Sequence, residues 1–172
     1  MKNVIIREYQ DSDYAACRSL YGELSRHYAE IYEDSTIAGD DPGRGFDKHL
    51  SLSNLRGIWV AEVNGKVVGF TGLLEYLNEE GVVEIEPLVV SVALRDKGIG
   101  SKLVEHAKQK ASEKGYRFIT IGTGLRNEEA FKLYVKLGFN IVGGVELFQD
   151  LSPELGRTWK TGVEILGHKL RY

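Results

Sequence analysis

The chain has little of what would tie it to an oxidising exterior, a membrane or nucleic acid. It holds a single cysteine, Cys17, among 172 residues, which excludes an intrachain disulfide and fits a reducing compartment. No apolar run approaches the ~20 residues of a membrane span. The opening segment MKNVIIREYQ is too polar for a secretory signal, so a cytoplasmic protein with no membrane partner is expected. Lys and Arg number 22 against 25 Asp and Glu, a net charge of -3, and this leaves no basic field for nucleic acid. The four histidines, His27, His49, His106 and His168, are scattered without metal-ligand spacing, and no metal is expected. Neither a repeat nor a low-complexity stretch breaks the chain. Its length and 42% hydrophobic content suit one globular domain over 1–172.

What is there is concentrated in one junction, VVEIEPLVVSVALRDKGIGSKL from Val82 to Leu103, where an apolar β-type run meets a charged glycine turn and then a helix. Gly98 and Gly100 let a ligand approach the peptide N–H groups directly. The helix that follows from Ser101 turns its unpaired N–H groups and positive dipole end onto that turn, the outline of a phosphate site. Arg95 and Lys97 add positive charge there. A dinucleotide fingerprint would need a third glycine where Leu103 stands, and GxxxxGK[ST] does not occur, so both nucleotide-fold readings fail.

Around this junction the chain alternates between strand and helix signals. Asn3 to Glu8 reads as a strand, with Asp11 or Ser12 capping an amphipathic helix from Tyr14 to about Tyr32. Its aromatic stripe suits either the core or a cleft. EDSTIAGDDPGRG, residues 33–45, is a breaker-rich acidic loop, and a short helix from Phe46 to about Leu55 follows. Ile58 to Val63 and Lys66 to Leu74 flank Asn64-Gly65, the dipeptide of a type I′ hairpin. Gly69 and Gly72 point to a bend or a close backbone approach. After a helix from Gly100 to Lys114, ended by Gly115, Phe118 to Ile121 reads as a strand parallel to its predecessor. A helix begins at Asn127, and Asn140 to Phe148 and Val163 to Leu170 read as two final strands. The intervening QDLSPELGRTWKT, residues 149–161, is longer than a hairpin needs and is expected to reach over a neighbouring surface.

Arg95-Asp96-Lys97-Gly98-Ile99-Gly100 resembles the pyrophosphate loop of the GCN5-related N-acetyltransferase (GNAT) family, written as Gln or Arg, two residues, Gly, one residue, then Gly or Ala. Asp96 departs where Gly is common, and Val92 where Pro is common. A second stretch strengthens the resemblance: Asn127, Ala130, Tyr134 and then Gly138-Phe139 match the family's other characteristic spacing, and the first three share one helical face. The resemblance runs from about Val4 to the end of the chain. It implies an α/β (α+β) GNAT fold, a mixed, mostly antiparallel central sheet of six to seven strands flanked by helices. It further implies an acetyl-CoA-dependent N-acetyltransferase acting by direct transfer in a ternary complex, and a homodimer.

Acetyl transfer needs a base for the ammonium, donors for the thioester oxygen and an acid for the departing thiolate. A lysine-like amine, with a pKa of about 10, is mostly protonated at neutral pH. Glu84 and Glu86 sit on one face of the central strand by two-residue alternation, with Leu88 and Val90 continuing that face. Buried acids in so apolar a run need a partner or a task. The resemblance implies Glu84 as base, with Glu86 the nearer alternative, and either could instead hold the substrate's cation or pair with a structural Arg or Lys. It also implies that the main-chain N–H groups of Val89 and Val90 face the oxyanion, that Leu88, Val89 and Val90 pair with pantetheine like an added strand, and that Tyr134 is the proton donor. The cofactor set on the same grounds is Leu88, Val89, Val90, Arg95, Asp96, Lys97, Gly98, Ile99, Gly100, Ser101, Asn127, Ala130 and Tyr134. Cys17 is not required as an acyl carrier. The acceptor is read as a small cationic amine or a lysine or N-terminal amine of a peptide or protein, drawn by Glu84, Glu86 and the acidic loop. The alternative is a non-catalytic acyl-CoA-binding sensor module, for which the Glu84/Glu86 pair and Tyr134 would have no chemical use.

Overall fold

The computed structural model describes residues 3–149, 151 and 158–172. Five strands form one sheet in the order β1 (Val4–Glu8), β2 (Leu55–Val63), β3 (Lys66–Glu75), β4 (Val82–Val90) and β5 (Phe118–Ile121). The first three pairings are antiparallel and β4–β5 is parallel. Helices α1 (Tyr14–Tyr32) and α2 (Arg44–Leu50) cover one face, α3 (Ile99–Glu113) covers the other, and α4 (Glu128–Lys136) follows β5.

The alternation of apolar side chains explains the two-sided packing. On β2, Ile58 and Val60 join Cys17, Leu20, Phe46, Phe70 and Val89 beneath α1 and α2, while Trp59 packs with Leu73, Val83, Ile85, Val104 and Ala107 beneath α3. Consecutive strand residues must point to opposite faces, so a strand apolar on both faces needs a helix on each. Asn64 and Gly65 both adopt positive φ, 53° and 73°, as the I′ turn between β2 and β3 requires.

One irregularity organises the site. Thr71 faces Leu88 and Leu73 faces Ile85, so Gly72 stands opposite two residues, Glu86 and Pro87. This is a β-bulge, and it reverses the alternation along β4. Leu88 and Val90 therefore pack with Ile99 and Leu103 on the α3 face, not on the carboxylate face that plain alternation gives them. A Cβ on Gly72 would lie 2.5 Å from the Glu86 carbonyl oxygen and 2.6 Å from His49 Nε2, and one on Gly69 would lie 2.7 Å from the Val89 oxygen. Both glycines are there because backbone passes where a side chain would.

Four expectations need correcting. The short helix expected from Phe46 to about Leu55 instead starts at Arg44 and ends at Leu50, and Leu55 already opens β2. Asn140–Phe148 forms no strand; Gly143-Gly144 interrupts it, and Ile141 and Val142 are 87% and 82% exposed. Val163 to Leu170 is not one strand but a hairpin, β6 (Thr161–Ile165) and β7 (His168–Arg171), turned by Leu166-Gly167 at φ 51° and 81°. The seven strands among the described residues are thus divided between a five-stranded sheet and this separate ribbon. Finally, α1 is preceded by a 3-10 turn over Asp11–Asp13, so Asp13 and not Asp11 or Ser12 stands at its N-cap, held by Arg7 at 2.7 Å. Of the 149–161 segment, Asp150 and residues 152–157 lie outside the described residues; Thr158 contacts Glu33 and Arg126.

Candidate active site

The parallel pairing of β5 with β4 stops at Ile85, while β4 continues to Val90 against β3. Among the described residues, one edge of β4 beyond the bulge is therefore left without a strand. Ser91 N–H donates to the Val68 oxygen at 2.9 Å, and antiparallel ladders alternate bonded and non-bonded pairs. Val89 is then the residue that exchanges hydrogen bonds with Phe70, and the N–H and C=O groups of Leu88 and Val90 face the open edge. Of the two N–H groups expected at the oxyanion, only that of Val90 points into the gap.

At the end of this edge the chain enters a 3-10 turn, Val92–Leu94, and then the basic loop. The loop's two departures from the family pattern have local explanations. Asp96 adopts φ 60°, the left-handed conformation that glycine takes most easily and that Asp tolerates. Val92 keeps the N–H that proline would lack, and donates it to Glu23 Oε2 at 2.9 Å. Gly98, at φ 75°, is the N-cap of α3 and supplies no side-chain cap. The first N–H groups of α3, at Ile99, Gly100 and Ser101, are thus left for a ligand. Arg95 approaches His27 Nδ1 at 3.5 Å and makes no salt bridge among the described residues.

These elements border a single cleft of about 1390 Å³. Its cofactor side is formed by Leu88, Val89, Val90, Arg95, Asp96, Gly98, Ile99, Gly100 and Ser101, faced by Asn127, Ala130 and Tyr134 from α4. Lys97 is not in the wall; its Nζ donates to the Ala93 carbonyl at 3.4 Å. Asn127 caps α4, its Oδ1 accepting from Ala130 N–H at 3.3 Å. Its partner in the wall, Tyr134, packs edge-on to Phe139 at 6.4 Å. The acceptor side comes from α1, α2 and the bulge: Tyr21, Tyr28, Arg44, Lys48, His49, Glu84 and Glu86.

Burial tunes the titratable groups. Glu84, half-buried, has its carboxyl raised above the ordinary range by desolvation and then by the neighbouring Glu86 charge, partly opposed by a hydrogen bond from Tyr76. A carboxylate so placed is a better base than a solvated one. Glu86 is exposed. Desolvation, with Tyr28 adding to it, holds the Tyr134 phenol protonated far above neutral pH. His49, 4% exposed, is lowered to about 4 by desolvation. Cys17, fully buried, is pushed up to about 12 by desolvation and does not line the cleft.

A family model described as the Acetyltransferase (GNAT) family matches residues 14–139. The chain belongs to this family. It is 33% identical over 143 residues to an uncharacterized N-acetyltransferase of Methanocaldococcus jannaschii, covering 81% of this chain and 62% of that protein. It is 33% identical over 113 residues to N-acetyltransferase 8 of Rattus norvegicus, covering 64% of this chain and 48% of the rat protein. The chain thus spans about half to three fifths of these two relatives. Among solved structures it resembles a GNAT family acetyltransferase from Brucella melitensis in complex with acetyl-CoA, with a TM-score of 0.61 and 24% identity over 76% of this chain and 82% of that one.

As a GNAT domain, the structure gathers every sequence-chosen site residue except Lys97 around one cleft. Tyr21 and Tyr28 of the α1 aromatic stripe do reach the cleft, but sequence reasoning missed His49, Arg44 and Lys48, which no short motif marks, and Arg126. The guanidinium of Arg126 lies over the Tyr32 ring at 5.1 Å. It donates to the carbonyls of Tyr32 at 3.3 Å and Tyr172 at 3.1 Å, tying the end of α1 to the C-terminal ribbon. The acidic loop is mostly committed to structure. Asp41 pairs with Arg18, Asp34 accepts from Thr36 N–H at 3.0 Å, and Glu33 accepts from the Thr158 hydroxyl at 3.1 Å. Among described residues no metal-binding cluster occurs, and no helix is long and apolar enough to cross a membrane.

Proposed function

We propose that the protein transfers an acetyl group from acetyl-CoA to a primary amine, directly, within a ternary complex. The observation that carries this reading is the coincidence, in one cleft, of an unpaired β4 edge, an uncapped α3 start and a half-buried carboxylate. The residues present fit acetyl-CoA. The N–H groups of Ile99, Gly100 and Ser101, with Arg95, suit the pyrophosphate. Leu88 and Val90 offer amide-pairing groups in strand geometry.

Bound acetyl-CoA supplies an activated acyl group as a thioester. Glu84 takes the proton of the acceptor ammonium, freeing the nitrogen lone pair. As the N–C bond forms and the C–S bond breaks, the Val90 N–H on the open edge would serve as a fixed donor to the charge on the acyl oxygen, at no cost of reorganisation. Tyr134, whose phenol is protonated at neutral pH as an acid in that role must be, would give its proton to the departing sulfur, and the second proton that the nitrogen sheds as it becomes an amide would restore the phenol, leaving Glu84 protonated as the net outcome. Glu84 is favoured over Glu86 because burial raises its basicity, whereas Glu86 is exposed and suits electrostatic attraction of the cation. Direct transfer is supported by Cys17, whose thiol is sealed in the core away from the cleft.

Isothermal titration with CoA, followed by a screen of amines monitored through released thiol, tests the reading. Micromolar CoA binding and turnover on at least one amine are expected. No CoA binding at millimolar CoA would overturn it, and CoA binding without turnover on any amine would support the sensor module. The homodimer implied by the family resemblance has an apolar surface available to it in Ile141, Val142, Leu147 and Phe148, all at least 70% exposed. Light scattering across micromolar concentrations would check it, and a constant monomer mass would reject it.

A further inference from the structure

The acceptor half of the cleft carries two charge pairs of opposite sign. Glu84 and Glu86 project from the bulged segment of β4. Arg44 and Lys48, four residues apart on α2 and so on one helical face, stand in the same wall. The acids near α2 are already served. Asp47 accepts from the Tyr14 hydroxyl at 2.8 Å and from Arg18 Nε at 3.2 Å, and Arg18 also pairs with Asp41. Neither Arg44 nor Lys48 makes a salt bridge or a side-chain hydrogen bond among the described residues. His49, the next residue on the helix, is 4% exposed and borders the same cleft, but its Nε2 is turned against Gly72 of β3 and takes no part in the charge arrangement. Ile37 and Leu52, 37% and 41% exposed, add apolar surface to that wall.

A simple polyamine would be attracted by the carboxylates and repelled by Arg44 and Lys48. A molecule with a cation at one end and an anion at the other satisfies all four charges. We propose that the acceptor is a free amino acid with an apolar side chain, its ammonium against Glu84 and Glu86 and its carboxylate against Arg44 and Lys48. The inference rests on the acetyl-transfer reading above and narrows it. A guanidinium and an ammonium on one carboxylate give charge-assisted hydrogen bonds, stronger than neutral ones. The carboxamide of the same amino acid keeps the amine and the side chain but loses the anion.

The test is titration of leucine, methionine and phenylalanine, their carboxamides and the corresponding decarboxylated amines into the CoA-saturated protein, with turnover measured in parallel. Each amino acid is expected to bind about 10-fold or more tightly than its amide or amine, the scale of hydrogen bonds to charged groups. The double substitution Arg44→Ala/Lys48→Ala is expected to abolish that ratio and leave CoA affinity unchanged. Both side chains are exposed, so the fold should survive, and the wild-type ratio stands as a measurement independent of the variant. Equal or tighter binding of amides, amines or spermidine would overturn the inference while leaving acetyl transfer intact, as would a ratio that persists in the double variant. Failure of the protein to bind CoA at all would instead overturn acetyl transfer, and this inference with it.

Discussion

The two halves of the cleft are built from different materials. The cofactor half is mostly backbone: the open edge of β4, the left-handed residues Asp96 and Gly98 and the first N–H groups of α3. Side chains drawn from α1, α2 and β4 make the acceptor half, namely Tyr21, Arg44, Lys48, His49, Glu84 and Glu86. A backbone site binds a chemically fixed group and tolerates drift in most neighbouring side chains. A side-chain site can be respecified by a few substitutions. Within one fold, constancy of the cofactor and variation of the acceptor therefore fall naturally on different physical substrates.

The largest effect should come from the carboxylates. Glu84→Gln removes the base and is expected to lower kcat/KM about 10²–10⁴-fold, the usual span of general-base catalysis, leaving CoA affinity unchanged. Glu86→Gln should act mainly on acceptor KM. The Glu84→Gln deficit should shrink as pH rises toward the amine's own pKa, since a neutral amine needs no base. A pH series of initial rates checks this, and a larger defect in Glu86→Gln would exchange the two roles. Tyr134→Phe should reduce kcat about 10²-fold, the low end of acid catalysis, with KM for acetyl-CoA unchanged; an undiminished kcat would remove Tyr134 from the acid role.

The cofactor half can be broken at its conformation. Gly98 has open space around the position of a Cβ but sits at φ 75°, so Gly98→Val meets no neighbour and still strains the loop. The left-handed conformation costs roughly 1–2 kcal/mol for an ordinary residue, or about 10-fold in CoA affinity if the loop yields rather than the fold. Gly100→Ala would meet Leu133 at 3.4 Å and Val90 at 3.8 Å, ordinary contacts, and should bind CoA within a few-fold of the parent. Titration of CoA into both variants makes the comparison, and equal losses would show that space and not dihedral angle governs the loop.

The same contrast explains what was legible in the sequence. The cofactor half is local: Arg95 to Gly100 and Asn127 to Tyr134 carry their geometry within a few residues, because glycine conformation and helix spacing are short-range properties. Long amphipathic α1 and the Asn64-Gly65 hairpin were readable for the same reason. The acceptor half depends on where α2 lands, and nothing within Arg44–Leu50 announces that it will face β4. The bulge at Glu86-Pro87 was foreshadowed only by Gly72 and Pro87, so the change of face at Leu88 was missed. The C-terminal ribbon escaped because Leu166 occupies a turn position that Asn, Asp or Gly usually fills, and an apolar residue there reads as continuing strand.

The smallest effect separates the halves by pH. His49 is held neutral by burial, with its pKa lowered from 6.5 to about 4. Between those values the unfolded chain binds a proton that the folded chain refuses, so stability falls as pH drops through 6.5 and the loss is complete below about 4. For a shift of this size the share lost between pH 7 and 5.5 is about 1 kcal/mol. His27 and His106 are also lowered and act in the same sense, whereas the raised Glu84 acts in the opposite one, so the wild-type curve alone does not isolate His49. The difference between wild type and His49→Gln does: urea midpoints at pH 7 and 5.5 should move less in the variant, by that same ~1 kcal/mol. Identical pH sensitivity in the two proteins would mean that His49 is solvated or protonated within the cleft, and that the acceptor half is wetter than its packing against Gly72 implies.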